Sequence, residues 1–152
     1  MQQVCFFIGN RDASPMLWGA VCDAVESAIV KHHVELFVTG GRGRLDRMAA
    51  QAVQKLKLKY PNIRLCLLLA YHPSERPVFL PQGYDESFYP LERPVPARFA
   101  IARVNRYMMD HSTVCIAYAA FPGHARNMLA YARQLVRTGR LAVIDLSDEP
   151  LA

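Results

Sequence analysis

Short apolar runs alternate with amphipathic segments along the chain, and this alternation limits the fold more than any other feature. The runs at 4–8, 34–38, 63–69, 113–118 and 141–146 are mainly apolar, which predicts buried strands. Between them, apolar residues recur at helical spacing. Strands that alternate with helices form parallel sheets with right-handed crossovers. The sequence therefore predicts an α/β domain with three layers, α/β/α.

The predicted sheet is mostly parallel and has five strands in the order 3-2-1-4-5. In doubly wound sheets of this kind, ligands bind at the carboxyl ends of the strands, where the strand order reverses. This rule brings together three loops, at 9–12, 39–46 and 118–125. The length of 152 residues fits a single domain, predicted to span 1–152.

The second of these loops carries the strongest signal for a ligand. Its Gly40-Gly41-Arg42-Gly43 run lies between a strand and a helix, where glycines allow close approach and the helix start offers N–H groups to an anion. The spacing matches neither a P-loop nor G-x-G-x-x-G, and a tight turn without a ligand is the alternative. The candidate ligand-binding residues of the three loops are Gly9, Asn10, Arg11, Gly40, Gly41, Arg42, Gly43, Asp46, Gly123 and His124.

The segment 71–97 interrupts the alternation. It holds most of the prolines and several aromatic residues, and it has no obvious periodicity. Loops of this length are usually functional or mobile, and the aromatic residues argue against disorder. We predict a long ordered loop that folds over the site.

A helix predicted at about 98–110 supplies the remaining candidates. Arg103 and Asn105 are its candidate ligand-binding residues. Positions 98, 102 and 105 share one helical face, so the polar side chains of this helix cannot all point to one site. If the protein has a catalytic carboxylate, the candidates are Asp46, Asp110 and Glu86; the sequence does not decide whether there is one.

Composition narrows the class of partner. The net charge of +5 suits phosphate-bearing ligands, although the charges are scattered and a solvated surface also explains them. No apolar stretch approaches the ~20 residues of a membrane span, and the first residues lack a secretory pattern, which predicts a cytoplasmic protein. The cysteines are widely spaced and the histidines form no ligand pattern, so neither a metal site nor a cofactor is predicted.

Several motifs resemble one known family. Residues 5–11 resemble the C-F-x-G-H-R opening of the YspA-like, YoqJ-like branch of the SLOG superfamily, and residues 38–49 are similar to its second-strand motif. Residues 84–86, followed by Tyr89-Pro90, and the stretch 103–112 resemble later motifs of that branch. The pattern R-x-N-R-x-M-x-D-x-S in 103–112 is the most specific of them.

The resemblance implies a Rossmann-like fold that binds nucleotides or nucleotide-derived ligands. The superfamily includes the Smf DNA-processing proteins and the Lonely Guy phosphoribohydrolases. Lonely Guy enzymes carry P-G-G-x-G-T-x-x-E after a strand, whereas the comparable residues 122–128 lack the second Gly, the Thr and the Glu. This departure puts a phosphoribohydrolase reaction in doubt.

Three functions follow as hypotheses. The first is a sensor or binding module for a nucleotide or ADP-ribose-like ligand. The second is a hydrolase of a nucleotide N-glycosidic or phosphoester bond. The third is a single-strand nucleic-acid binder that uses the aromatic residues of 71–97 and nearby arginines. The resemblance and the apolar content also predict a homodimer.

Overall fold

The computed structural model describes residues 2–148, which contain six strands and four α-helices. The strands are β1 (Val4–Gly9), β2 (Leu36–Thr39), β3 (Arg64–Leu68), β4 (Glu86–Phe88), β5 (Val114–Tyr118) and β6 (Ala142–Asp145). The helices are α1 (Trp18–His32), α2 (Arg44–Lys57), α3 (Ala97–Asp110) and α4 (His124–Arg137). Short 3-10 turns at Pro15–Leu17 and Leu146–Asp148 complete the regular structure of these residues.

All strand pairs in the sheet are parallel, and the order is β4-β3-β2-β1-β5-β6. The predicted α/β/α class is confirmed, and the predicted order 3-2-1-4-5 is present within the larger sheet. The predicted strand count was wrong by one, because β4 lies inside the segment 71–97. Glu86-Ser87-Phe88 is too short and too polar to stand out as a strand before its partner β3 is known.

Two helices cover each face of the sheet. One apolar core joins α1 and α2 to the face that includes Phe7 and Phe37. The other joins α3 and α4 to the face that includes Phe6 and Val38. Neighbouring residues of one strand therefore pack into different cores, because successive side chains of a strand point to opposite faces. The near-continuous apolar strands are explained by this burial on both faces.

Local signals determine where several helices begin and end. The Ser14 hydroxyl accepts a hydrogen bond from the Met16 N–H at 3.1 Å, with Pro15 at the first position of the turn before α1. Gly139 has a φ of 75° two residues after α4. Glycine adopts this backbone conformation at little cost, so Gly139 allows the chain to turn away after the end of α4.

A close contact between Gly9 and Leu45 sets the distance between β1 and α2. A Cβ built on Gly9 would lie 2.2 Å from Cδ2 and 2.8 Å from Cβ of Leu45. Leu45 is buried in the core, and one of the close atoms is its own Cβ, which no side-chain rotation can move away. The absence of a side chain at the end of β1 therefore lets the first turn of α2 approach the strand closely.

We expect Gly9→Ala to lower the free energy of unfolding by about 1–3 kcal/mol, the usual cost of overpacking a core. The control is Gly19→Ala in the exposed first turn of α1, where no atom lies within 4 Å of the added Cβ. That change should be neutral or stabilising by up to about 1 kcal/mol. Urea unfolding of both variants makes the comparison, and a Gly9→Ala protein as stable as the parent would contradict the close contact.

Candidate functional site

A cleft of about 530 Å³ opens at the carboxyl ends of the central strands. Its walls come from the end of β1, the loop before α2, one face of α3 and the loop before α4. This is the place where the strand order reverses, as the topology rule predicts. Its volume lies within the range of about 300–1,000 Å³ that is usual for small-molecule sites.

The cleft gathers most of the ligand-binding candidates. Every predicted ligand-binding residue except Gly41 and Arg103 lines it. Gly41 has a φ of 66° and its N–H donates to the Thr39 Oγ1 at 3.0 Å, so it shapes the turn beside the cleft. Arg103 lies on the exposed side of α3.

The start of α2 forms one wall and is held from two directions. The Asp46 carboxylate accepts a hydrogen bond from the Arg42 N–H at 3.0 Å. This bond joins the first turn of α2 to the loop that precedes it. The Arg44 N–H donates to the Arg11 carbonyl of the first loop at 3.0 Å. Gly43 caps the helix with extended backbone and no side chain. Gly43 and Asp46 line the cleft, so the start of α2 faces it.

The start of α4 forms the facing wall, and Asn10 holds it. The Asn10 Nδ2 donates to the Phe121 carbonyl at 3.4 Å, and the Phe121 N–H donates to the Asn10 Oδ1 at 3.2 Å. Gly123 precedes the helix with a φ of 141°, a value that favours glycine. His124 is the first residue of α4. Both helices thus direct their positive ends toward the same cleft.

A hydrogen-bonded chain of three side chains crosses the cleft. The Arg42 Nη2 donates to the Asn105 Oδ1 at 3.4 Å, and the Asn105 Nδ2 lies 2.8 Å from the His124 Nε2. Asn105 is only 4% exposed, although it is a polar residue on α3. The chain connects the loop before α2, helix α3 and the start of α4.

Burial shifts the pKa values of the ionisable groups in the cleft. It raises the pKa of Asp46, and the hydrogen bond from the Arg42 N–H and the Arg42 charge offset part of this effect. It lowers the pKa of His124, with a further lowering by the Arg42 charge. Burial also lowers the pKa of Arg42, which nevertheless stays protonated at neutral pH, as arginines do.

The charge balance of the cleft is positive. Arg11, Arg42 and Arg98 line it, and Asp46 is the acidic residue among its described lining residues. Two nearby arginines have structural roles instead. Arg44 donates to the Ala13 carbonyl, and Arg126 donates to backbone carbonyls of the loop before α4. The arrangement suits an anionic group bound between the two helix starts.

The candidate carboxylates separate in the structure. Asp46 lines the cleft. Glu86 forms an ion pair with Arg64 at 2.7 Å on the outer strand β4, and Asp110 accepts a hydrogen bond from the Tyr131 hydroxyl at the end of α3. Neither of these two lines the cleft, because the edge of the sheet and the far end of α3 lie away from the strand ends that form it.

The segment 71–97 is ordered but does not line the cleft. Strand β4 pairs with β3 and attaches the segment to the outer edge of the sheet. Two of its tyrosines lie close to the cleft. Tyr71 is near enough to influence the pKa of Arg42, and Tyr84, whose own pKa is raised by burial, has the Thr39 side chain and Asp46 among its neighbours. The segment was predicted to fold over the site, but none of its residues lines this cleft.

Sequence analysis missed part of the α3 wall. Arg98, Ile101 and Ala102 line the cleft together with Asn105. The positions 98, 101, 102 and 105 follow helical spacing, so the face that contains Asn105 could have indicated Arg98. Arg103, which was predicted to bind the ligand, lies outside this face, on the exposed side of α3.

A second depression of about 480 Å³ lies beside α2 and the segment 82–85. Its charged groups pair with each other, since the Lys57 Nζ and the Asp85 Oδ1 are 2.5 Å apart. The Asp85 Oδ2 also accepts from the Leu65 N–H at 2.8 Å. These bonds attach the segment to β3, and the depression offers no comparable set of groups for a ligand.

The described residues contain no cluster of three or more His, Cys, Asp or Glu side chains that could hold a metal ion. The four cysteines are free thiols, and three of them, Cys5, Cys66 and Cys115, are buried. Over the same residues, no helix has the length and apolar character needed to cross a bilayer.

The fold and the cleft define a Rossmann-like α/β/α protein with a basic cleft at its topological switch point. No family model matches the chain, and no curated protein matches it. Among solved structures, the chain is similar to the Moco carrier protein from Chlamydomonas reinhardtii, with a TM-score of 0.55. The two are 15% identical, over 97% of this chain and 77% of that chain. At this level of identity, the likeness establishes the shared fold.

We expect Asp46→Asn to gain stability relative to the parent as the pH rises from about 4 to 7. The raised pKa of Asp46 means that ionisation of this carboxyl is less favourable in the folded state than in the unfolded state. The parent protein therefore loses stability as the pH rises through the pKa that Asp46 has in the folded state, whereas the Asn variant does not. The amide oxygen of Asn can still accept from the Arg42 N–H. Urea unfolding at several pH values measures the difference.

The matched control is Asp12→Asn, which removes an exposed carboxylate from the neighbouring loop. It should not show the upward trend of Asp46→Asn. A parent protein that gains stability relative to Asp46→Asn as the pH rises toward 7 would contradict the assignment of a buried, destabilised carboxylate.

Proposed function

We propose that the cleft binds a phosphate-bearing, nucleotide-like ligand and that the protein acts as a sensor or binding module. The observation that carries this proposal is the convergence of two helix starts and three arginines on one cleft. Helix N-termini provide unpaired N–H groups and a positive dipole end, and arginine adds charge-assisted hydrogen bonds. Together they favour a multiply charged anion such as a phosphoryl group.

The remaining lining favours a ligand larger than a bare anion. Ile8, Ile101, Ala102 and Pro122 add apolar surface to the cleft. A cleft of this volume holds more than one phosphoryl group, and the apolar surface suits a ribose or a base beside it. A nucleotide or an ADP-ribose-like molecule combines phosphoryl groups with a ribose and a base.

Two further points favour binding without turnover. The loop before α4 lacks the Thr and Glu of the Lonely Guy pattern, so the carboxylate expected for that reaction is missing from 122–128. The structural neighbour is described as a carrier protein, a role that requires binding and release. We also propose that the protein belongs to the YspA-like, YoqJ-like branch of the SLOG superfamily.

A hydrolase is the second candidate, and one observation favours it. Asp46 lines the cleft and its pKa is raised, which is a property of many general acids and bases. Its hydrogen bond with the Arg42 N–H restricts one carboxylate oxygen to a structural role. The reaction would break a nucleotide N–glycosidic or phosphoester bond next to this carboxylate.

The cellular setting and assembly also belong to the proposal. Free, mainly buried thiols fit a reducing cytoplasm. Exposed apolar side chains, among them Leu58 and Phe79, provide surface for a homodimer. Sedimentation equilibrium of the purified protein measures the oligomeric state directly, and a monomer at tens of micromolar would overturn the dimer.

The test of the binding function is a thermal-shift screen with nucleoside monophosphates, ADP-ribose, cyclic nucleotides and inorganic phosphate. A ligand at 100 times its dissociation constant stabilises the protein by about 2.7 kcal/mol.

Arg98→Gln should weaken the binding of a ligand found in the screen by roughly 10–100-fold, because it removes a charged hydrogen-bond donor from the cleft. Titration calorimetry measures the change.

Arg103→Gln is the matched control, since it removes the same charge from the same helix outside the cleft. It should leave the affinity within about twofold, the effect expected of a screened surface charge. Equal losses in the two variants would show that the cleft is not the site. Salt-sensitive binding of oligonucleotides, weakened by Arg103→Gln, would instead support the nucleic-acid alternative.

Product analysis of each bound ligand separates the two leading candidates. A binding module leaves the ligand intact over hours, whereas a hydrolase consumes it. In the second case, Asp46→Asn should lower the rate by about 100-fold or more and retain most of the affinity, because it removes the acid/base group only. Unchanged turnover in Asp46→Asn would exclude Asp46 as that group.

A further inference from the structure

The hydrogen bonds between the side chains that cross the cleft have a fixed direction from donor to acceptor. Arg42 lies on the loop before α2, Asn105 on α3, and His124 at the first residue of α4. The first contact joins the Arg42 Nη2 to the Asn105 Oδ1 at 3.4 Å, and the second joins the Asn105 Nδ2 to the His124 Nε2 at 2.8 Å. The central residue is 4% exposed, so its amide has little water with which to exchange partners.

Arg42 determines this direction because a guanidinium can only donate hydrogen bonds. The Asn105 amide must therefore present its oxygen to Arg42. Its NH₂ group then faces His124, and an amide NH₂ can only donate. The His124 Nε2 is left with the role of acceptor, which requires an unprotonated nitrogen. A neutral imidazole that accepts at Nε2 carries its proton at Nδ1.

We propose that Asn105 is a positioning residue that holds His124 in the neutral Nδ1–H tautomer, so that the imidazole offers a hydrogen-bond donor to the anionic group of the ligand. The role of this donor depends on the proposed function of the cleft. The tautomer itself is a property of the ligand-free protein and can be tested without a ligand.

The charges around His124 support a neutral ring. Arg42 faces it from the loop before α2, and burial together with the Arg42 charge lowers its pKa below the ordinary 6.5. Arg11 and Arg98 line the same cleft from the first loop and α3. The start of α4 adds the positive end of the helix dipole. Asp46 is the acidic residue among the described lining residues of the cleft, and its carboxylate accepts a hydrogen bond from the Arg42 N–H.

This arrangement of hydrogen-bond donors leads to a prediction about the ligand. In this proposal the anion meets the arginines and the helix starts of the cleft together with the Nδ1–H of His124, and all of these groups donate. Such a set suits a phosphoryl group whose oxygens all accept, namely the dianion that a phosphate monoester forms above a pKa of about 6. Because His124 need not gain a proton, affinity for a nucleoside monophosphate should not increase as the pH falls from about 8 to 6.5.

The tautomer is measured by ¹⁵N NMR of the imidazole nitrogens. Loss of one set of signals in His124→Gln assigns the residue among the five histidines. In the parent protein at pH 7, Nδ1 should give the signal of a protonated nitrogen and Nε2 that of an unprotonated one. A protonated Nε2, or a doubly protonated ring at pH 7, would overturn the proposal.

Asn105→Asp tests the positioning role. A carboxylate accepts from both Arg42 and the ring, so the His124 proton should move to Nε2 and the titration midpoint should rise by about one pH unit or more. Asn127→Asp is the control: it places the same charge on the exposed side of α4, three residues from His124. It should shift the midpoint less and leave the proton at Nδ1.

The outcomes separate this inference from the proposed function. An unchanged tautomer in a folded Asn105→Asp protein would show that Asn105 does not position the ring; if that variant fails to fold, the parent spectrum still decides the tautomer. Adding AMP should shift the Nδ1 resonance of the parent protein, and AMP that binds without this shift would overturn the donor role. Failure of every ligand in the screen would overturn the proposed function and leave the tautomer assignment intact.

Discussion

The geometry of the cleft depends on the hydrogen bonds that the loop after β1 makes with the other two loops. The Asn10 side chain pairs with both backbone groups of Phe121, and the Arg11 carbonyl accepts from the first N–H of α2. The Asn10 N–H also donates to the Tyr118 carbonyl at 3.0 Å. Because β1 is a central, buried strand, this short loop begins from a rigid base. It thereby connects the start of α2 to the loop before α4.

The candidate residues divide into those that join the loops to each other and those that form the chain across the cleft. Asn10 and the Arg11 carbonyl are used to join loops, so their contribution to a ligand is indirect. Arg42, Asn105 and His124 instead form the chain across the cleft. The glycines serve separate purposes: Gly9 admits the Leu45 side chain, and Gly123 adopts a φ of 141° before α4.

Much of this arrangement could be predicted from the sequence. The alternation of apolar runs and helical segments predicted the layers and the relative order of five strands, and the topology rule predicted which loops meet. Strand β4 could not be predicted, because three residues of mixed polarity become a strand only through pairing with β3. Its position also explains why the segment 71–97 lies beside the cleft.

The side-chain contacts were beyond sequence reasoning for a different physical reason. Local pattern does not show that the Asn105 amide meets His124, since 19 residues separate them and the contact depends on how α3 packs against α4. It likewise does not show that Asp110 turns to Tyr131 at the far end of α3. Helical spacing, by contrast, does relate Arg98 to Asn105, and was available before the structure.

The attachment of the segment 71–97 has a consequence for how such a protein can diversify. The segment joins the sheet through three residue pairs at its outer edge, and it supplies no lining to the cleft. Its exposed part, which includes Phe79 at 85% exposure, can change in length or composition without moving the loops that form the cleft. Substitutions in this exposed part can therefore change what the surface contacts and leave the walls of the cleft as they are.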